Sequence, residues 1–380
     1  MMKKITALLL ALIMCFTLCA CSFGKEENEA PSENASDVIQ GQTTDGKTTE
    51  NETTENETTE NETTEALTTE PSTTQSQEEY EDVTAPSEPE INVPSDESDG
   101  IKPILYKVSD EKGNVIWLFG SIHVGREEFY PLPDYVIDAY NSSDAVAAEF
   151  NIIEYQEDLM TQVFSMSDLV YKDGTKISDH ISEESYNAGV AALEEYGIYT
   201  SIMDYCCPVL WSTLIDSMIL LEIGVDATLG IDMSILTMAD EEGKEIYEIE
   251  SADFQYSMLA GFSDELQEIM LQSSIASMGN LEAYEDDMDM LLDLWASGDE
   301  EAFSEYLNSS DESEGIPKAL YDEYYKAMIT DRNNNMTEYA VDALASGEEI
   351  FICVGAAHVI GDGAMAENLR ELGYTVEMVR

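Results

Sequence analysis

Short apolar runs alternate with longer amphipathic stretches through residues 101–380. The runs at 104–108 and 115–119 are rich in β-formers and flank Lys-Gly-Asn, which predicts a β-hairpin. The run at 145–150, AVAAEF, is apolar almost throughout, a pattern typical of a strand buried on both faces. The chain therefore begins its folded part with three predicted strands.

The stretch from about 155 to 344 is predicted to be mainly helical, because its apolar residues recur at spacings of three and four. The exception is EIYEI at 245–249, a short strand that follows a helix at 231–239. The last unit reads as a strand, a helix and a final strand at 374–379. Together these elements predict an α/β fold with a mostly parallel central sheet and a helical insertion in the middle.

The N-terminus has the layout of a bacterial lipoprotein signal. Two lysines precede an apolar stretch, which ends in Leu-x-Ala-Cys at Cys21. We expect residues 1–20 to be removed and Cys21 to carry the lipid that attaches the protein to a membrane. An uncleaved membrane anchor is the alternative, but the apolar stretch is shorter than the roughly 20 residues that a span needs.

Residues 21–100 are rich in Thr, Glu and Asn and include a repeat with a period of five residues. A segment with so little apolar surface cannot offset the entropy of ordering, so a disordered acidic tether is predicted. Residues 101–380 remain as a single domain. The net charge of −64 argues against binding to nucleic acid, which attracts basic surfaces. The cysteines of the domain include no CxxC pair, so a thiolate zinc site is not expected.

Two of the three histidines share one local setting. In WLFGSIHVG and FICVGAAHVIG, a glycine ends an apolar run and His123 or His358 follows three residues later. We expect Gly120 and Gly355 to let the backbone turn tightly at these points. The carboxyl ends of parallel strands meet at one edge of a sheet, so both imidazoles and Glu149 are expected in one crevice. Two histidines and a carboxylate can hold a divalent metal and leave positions open for water or substrate.

Five further residues have a candidate role or a plain alternative. Glu250 follows the fourth short strand and could be a metal ligand or a general base. Arg332 begins a helix, where a cation is unfavourable, so it is predicted to face an anion, either a site carboxylate or a substrate carboxylate. Gln255 could orient substrate or be solvated. His180 is predicted to be exposed near a helix start. Ser121 lacks a Gly-x-Ser-x-Gly elbow and is predicted to be a small turn residue.

The motifs WLFGSIHVG, AVAAEF, GIDMSILTMADEEGKEIYEIESADFQ, DRNNNM and FICVGAAHVIGDGAM, in this order, resemble the TraB/GumN family, which includes the Tiki proteins. The resemblance implies an α/β fold related to the erythromycin-esterase and ChaN-like group. For Tiki-like members it implies a protease that uses manganese or cobalt. The implied site falls on His123, His358, Glu149 and Glu250, with Arg332 as the arginine of an Arg-Asn pair.

The expected protein is an extracytoplasmic, surface-anchored hydrolase that depends on a divalent metal, with Mn, Co and Zn as candidates, and acts on a peptide or protein. In this hypothesis His123, Glu149 and His358 hold the metal, Glu250 assists proton transfer and Arg332 anchors an anionic group. Two alternatives stay open. One is a non-catalytic lipoprotein that sequesters a peptide, a metal or haem. The other is a metal-free hydrolase of the esterase kind with His123 as the base.

Overall fold

The computed structural model describes residues 100–307 and 316–380. The predicted signal peptide, the lipid on Cys21 and all but the last residue of the predicted tether lie outside these ranges. Within the described residues, no helix has both the length and the apolar character needed to cross a membrane.

A six-stranded sheet forms the centre of the domain, with the strand order β4-β3-β5-β2-β1-β6. β2, β3, β4 and β5 are parallel, whereas β1 runs antiparallel to β2 and to β6. The all-apolar runs of β3 and β5 lie inside the sheet, and the alternating sequences of β4 and β6 lie at its edges. The predicted hairpin and the mostly parallel α/β sheet are therefore confirmed. The strands are β1 Leu105–Ser109, β2 Val115–Ser121, β3 Ala145–Ala148, β4 Glu245–Glu248, β5 Ile350–Gly355 and β6 Thr375–Val379.

Helices make up most of the remaining described chain, and the majority lie between β3 and β5 on either side of β4. They are α1 Asp134–Ser142, α2 Ile152–Glu157, α3 Leu159–Met166, α4 Glu183–Glu195, α5 Pro208–Glu222, α6 Ile231–Glu242, α7 Ala252–Ala260, α8 Asp264–Met278, α9 Leu281–Ser297, α10 Glu300–Leu307, α11 Lys318–Tyr325, α12 Asp331–Ser346, α13 Ala356–Val359 and α14 Met365–Glu371. A π-helical turn, Lys326–Thr330, joins α11 to α12.

The two glycines of the histidine motifs differ from the tight turns predicted for them. Gly120 lies inside β2, where a Cβ atom would come within 3.1 Å of the Ala356 Cα atom. Gly355 ends β5 with an ordinary φ of −51°, and a Cβ atom there would meet its neighbours at ordinary contact distances. Only Gly120 therefore serves close approach, and neither backbone conformation requires glycine.

Candidate functional site

The side chains that follow β2, β3 and β5 converge at the carboxyl edge of the sheet. These strands are neighbours, and Ser121 of β2 is paired in register with Gly355 of β5. A Cβ atom placed on Gly355 would lie 3.4 Å from Glu149 Oε1, 3.7 Å from His123 Nε2 and 3.7 Å from His358 Cδ2. The structure therefore brings the three predicted metal ligands together around one glycine.

His123 is oriented by a carboxylate. Its Nδ1 atom lies 2.5 Å from Asp232 Oδ2, so the proton on Nδ1 is donated to that oxygen and Nε2 faces Glu149 and His358. Burial lowers the pKa of His123, but the adjacent Asp232 carboxylate outweighs it and raises this pKa to about 8. The Nε2 atom is buried and has no hydrogen-bond partner. A ring nitrogen in this state is suited to a ligand that the chain itself does not provide.

Two glycines let the segment that carries Asp232 lie directly against His123. Ile231 N–H donates to the carbonyl of Ile122 at 2.8 Å. A Cβ atom on Gly230 would lie 2.5 Å from the His123 carbonyl oxygen, and one on Gly125 would overlap the backbone of the Gly230 segment. We call this contact the glycine seam. It places the start of α6 where Asp232 reaches the imidazole.

His358 is oriented by an amide. Asn333 Nδ2 donates to the Gly363 carbonyl at 2.9 Å, so Asn333 Oδ1 must accept from the Nδ1–H group of His358, at 2.7 Å. The proton on Nδ1 leaves Nε2 with a free lone pair. Burial and the nearby Arg332 guanidinium lower the pKa of His358 to about 3, despite the opposing effect of Glu149. This imidazole is therefore neutral at physiological pH.

Arg332 joins the two glutamates of the site. Its Nη2 atom donates to Glu149 Oε2 at 2.6 Å and to Glu250 Oε2 at 2.9 Å, and its Nε atom donates to Glu250 Oε1 at 2.9 Å. Gln255 Nε2 also donates to both carboxylates. Burial raises the pKa of Glu149, but Arg332, the two imidazoles and the Gly355 N–H group together bring it well below its usual range. Arg332 was predicted to face either a site carboxylate or a substrate carboxylate, and in the structure it contacts two site carboxylates.

The remaining candidates differ from their predicted settings. His180 is half-buried, because its ring stacks on Tyr171 at 4.0 Å and its nitrogens contact Thr175 and Asp264. The prediction of an exposed residue was therefore wrong.

Ser121 is the last residue of β2 and is buried, with no partner for its hydroxyl, so it is not a turn residue. Asp232 and Asn333 escaped sequence reasoning. Each of them meets its histidine only in the folded chain. The one signal in the sequence that could have identified them was their position in the GIDMS and DRNNNM motifs.

The donor atoms of the site are of types that bind divalent metals, but in this structure they are too far apart to form a ligand shell. Within residues 100–307 and 316–380, no group of three or more His, Cys, Asp or Glu side chains is close enough to hold an ion. The orphaned Nε2 of His123, the ring of His358 and the Glu149 carboxylate nevertheless lie around the same residue, Gly355.

Two cavities share Ser121 and His123 in their walls. The larger, of about 60 Å³, is lined by His123, His358 and Arg332 and otherwise mostly by apolar side chains. The smaller, of about 20 Å³, lies beside Glu149, Asp232 and the unpartnered Ser121 hydroxyl. Both cavities are partly open, and the larger one offers room for part of a substrate.

The fold and the site define an α/β protein whose paired histidines and buried carboxylates lie beyond the carboxyl ends of neighbouring parallel strands. The sequence model of the TraB/PrgY/gumN family matches residues 104–378. The chain therefore belongs to this family, and the family resemblance predicted from its motifs is confirmed.

Curated relatives of this chain are also found in enteric bacteria. The chain is 24% identical over 257 residues to the uncharacterized protein YbaP of Escherichia coli (strain K12), covering 67% of this chain and 87% of that protein. The same figures hold for YbaP of Shigella flexneri. No solved structure matches the chain significantly. The names of these relatives do not identify an activity.

Proposed function

We propose that this protein is a metal-dependent hydrolase that acts on peptides. The observation that carries the proposal is the Nε2 atom of His123, which is buried, unpartnered and directed toward Glu149 and His358. An unsatisfied buried nitrogen costs about 1–3 kcal/mol, and a ligand would remove that cost. Membership of the TraB/PrgY/gumN family agrees with the proposal without specifying the reaction.

In this proposal His123, Glu149 and His358 hold a divalent ion, with Mn, Co and Zn as candidates. Asp232 and Asn333 orient the imidazoles through their Nδ1–H groups, as outer-shell partners of metal-binding histidines commonly do. A divalent ion held there would lower the pKa of bound water and so supply a nucleophilic hydroxide near neutral pH.

The charges of the site support a cation. Glu149, Glu250 and Asp232 contribute three carboxylates, while Arg332 supplies one guanidinium in contact with two of them. An excess of buried negative charge is unfavourable unless it is paired or coordinates a metal. The raised pKa of His123 adds a proton, and so one further positive charge, beside Asp232 at neutral pH. A divalent ion that displaced this proton would, together with Arg332, balance the three carboxylates.

The contacts of Glu250 favour a positioning role over the proton transfer predicted from sequence. Both of its oxygens accept hydrogen bonds from Arg332, and it lines neither cavity at the histidines. We propose that Glu250 holds Arg332, which in turn fixes Glu149. Arg332 lines the larger cavity, so a substrate anion could be anchored only on that side of its guanidinium.

The remaining parts of the proposal concern location and ancestry. We propose that lipid on Cys21 attaches the protein to the outer face of a bacterial membrane, where a peptide or protein substrate would be met. A relation of the fold to the erythromycin-esterase and ChaN-like group is proposed on the family resemblance alone.

The decisive experiment measures bound metal and peptide cleavage together. The purified full chain and its His123→Ala and His358→Ala variants are compared by elemental analysis and with a peptide library, with and without chelator. His180→Ala is the matched control, since that ring contacts Tyr171 and Asp264 instead of the site. We expect bound divalent metal and chelator-sensitive cleavage in the wild type and in the control, and loss of both in the two site variants.

Other outcomes would replace the proposal. Cleavage that persists in chelator and in metal-free protein would favour a metal-free hydrolase with His123 as the base. Peptide binding without turnover would favour a sequestering protein.

A further variant separates the metal site from the fold. In Gly355→Ala the added methyl group would meet Glu149, His123 and His358 at ordinary contact distances of 3.4–3.7 Å, and the φ angle of −51° suits alanine. We expect native circular dichroism and a strong loss of metal, because the methyl group would lie among the three donors. Unchanged metal content in a folded Gly355→Ala variant would place the ion elsewhere.

A further inference from the structure

The larger cavity joins the candidate site to an apolar chamber. Its polar wall consists of Ser121, His123, His358 and Arg332, and Gly355 lines the same cavity. The rest of the wall is mostly apolar and comes from several separate segments, including Ile122, Val124, Leu291, Phe303, Met328 and Ile329. A ligand in this chamber would contact the histidines at one side and aliphatic or aromatic side chains elsewhere.

An unusual turn of helix supplies part of this wall. Met328 and Ile329 lie in the π-helical turn Lys326–Thr330, and Arg332 follows at the start of α12. Residues three and four apart share one face of a helix, so these three side chains reach the same cavity. Single π-helical turns are rare and occur frequently at functional sites. The turn therefore places apolar wall and guanidinium side by side.

The size of the chamber limits what can enter it. A cavity needs about 10–15 Å³ to hold one water molecule, so about 60 Å³ accommodates roughly four to six non-hydrogen atoms. The side chains of Val, Leu, Ile and Met meet this limit, whereas the Phe side chain, with its methylene group and six ring carbons, exceeds it. A charged side chain would lose its hydration against apolar walls.

We propose that this chamber binds an uncharged aliphatic side chain of the substrate, next to the bond that reacts at the histidines. The inference rests on the proposed peptidase function and adds a substrate class to it. Peptides with Leu, Ile or Met at this position are the preferred substrates. The chamber would select against Phe by volume and against Lys and Asp by desolvation.

The test uses matched acetylated pentapeptide amides, Gly-Gly-X-Gly-Gly, with Ala, Leu, Phe, Lys or Asp at X. Binding to the metal-free full chain is measured by calorimetry, and cleavage is measured separately after addition of metal. We expect the Leu peptide to bind about tenfold or more tightly than the Ala peptide, because its larger side chain fills the apolar chamber. The Phe, Lys and Asp peptides should bind more weakly than the Leu peptide.

Two variants change the chamber in opposite directions. Ala357→Leu, on the cavity wall, should reduce the preference for Leu over Ala at least fivefold by filling the chamber. Met328→Ala should enlarge it and improve binding of the Phe peptide relative to the Leu peptide. Met270→Ala is the matched control, since Met270 is equally buried but lies in α8 outside the cavity. The control should keep the wild-type order of peptides, and thermal unfolding checks that each variant is folded.

The two measurements distinguish this inference from the hydrolase proposal. Selective binding of the Leu peptide without cleavage at any metal would support the chamber and reject the peptidase. Cleavage with equal efficiency for all five peptides would support the peptidase and overturn the chamber. Absence of any preference in binding, or the same preference in Ala357→Leu as in the wild type, would also overturn it.

Discussion

Two buried carboxyl groups in this domain have opposite electrostatic settings. Glu149, at the edge of the sheet, accepts hydrogen bonds from Arg332, Gln255 and the Gly355 backbone, and its pKa lies well below the usual range. Asp216, in α5, has a hydroxyl donor from Ser274 at 2.9 Å, and burial raises its pKa to about 7. The two carboxyl groups are buried to nearly the same extent, since both side chains are almost fully inaccessible to solvent.

The difference shows that the partner, and not burial, decides whether a buried acid keeps its charge. A guanidinium with several donors repays the loss of hydration at Glu149, while one hydroxyl does not at Asp216. The helical insertion therefore tolerates an acid that is only partly ionised near pH 7. The candidate site maintains an ionised one, as a metal ligand requires.

The largest expected effect on stability comes from removing the cation beside Glu149, which would leave this buried carboxyl without a charged partner, as Asp216 is. Arg332→Met would remove the cation that holds two buried carboxylates, and we expect the free energy of unfolding to fall by about 3–5 kcal/mol at pH 8. The loss should shrink toward pH 4, because the abandoned carboxyls can then be protonated. Urea unfolding at both pH values, with chelator present, measures this change.

Arg126→Met is the matched surface control. Arg126 contacts Asp289 and Asp293, whose side chains are 61% and 71% exposed, so its removal should cost less than about 1 kcal/mol. If both arginine variants lost equal stability, the buried network would not be the source of the effect.

A substitution at Asp216 should change the stability at pH 8 by a comparable amount but in the opposite direction. Its pKa is raised in the folded state, so its stabilising contribution is complete below about pH 4 and is lost as the pH rises to about 7. At about 1.4 kcal/mol per pH unit, the loss is on the order of 4 kcal/mol. Asp216→Asn should flatten this part of the stability profile and make the protein more stable than the wild type at pH 8.

Chemical unfolding from pH 4 to pH 8 tests this expectation. Asp138→Asn, which removes an exposed carboxylate from α1, is the control for the change of net charge. An Asp216→Asn profile parallel to that of the wild type would show that Asp216 is ionised in the folded protein.

The smallest effect is expected at Gln255, which donates to both Glu149 and Glu250. Gln255→Ala should lower the free energy of unfolding by about 1–2 kcal/mol, because both carboxylates keep their stronger bonds to Arg332. The measurement is urea unfolding at pH 7. A loss as large as that of Arg332→Met would mean that the amide, rather than the cation, sustains the charge of the site.

Sequence reasoning was most successful where a signal was local. Apolar runs predicted the hairpin and the strands that precede His123, Glu149 and His358, because burial on both faces excludes polar residues from a run. Parallel strands present their carboxyl ends at one edge, so the three side chains were expected to meet if their strands were neighbours, as they are in the structure. The convergence of the three side chains could therefore be predicted from the sequence.

The residues from distant helices that orient the two histidines could not be predicted from the sequence. Asp232 and Asn333 meet their histidines across separations of 109 and 25 residues, and no local periodicity reports such a pair. The glycine motifs were recognised but misinterpreted, because a glycine that permits close packing looks the same in sequence as one that permits a turn.

The glycine seam also bears on which substitutions the chain can accept over evolutionary time. At Gly125 and Gly230 even a methyl group would overlap backbone atoms that no rotamer change can move, and the displaced helix would carry Asp232 away from its imidazole. Gly279, by contrast, has a φ of −73° and would place a Cβ atom at an ordinary 3.4 Å from its nearest neighbour. A saturation survey should find the first pair closed to every other amino acid, so the neighbourhood of His123 can diversify only through the walls of the cavity.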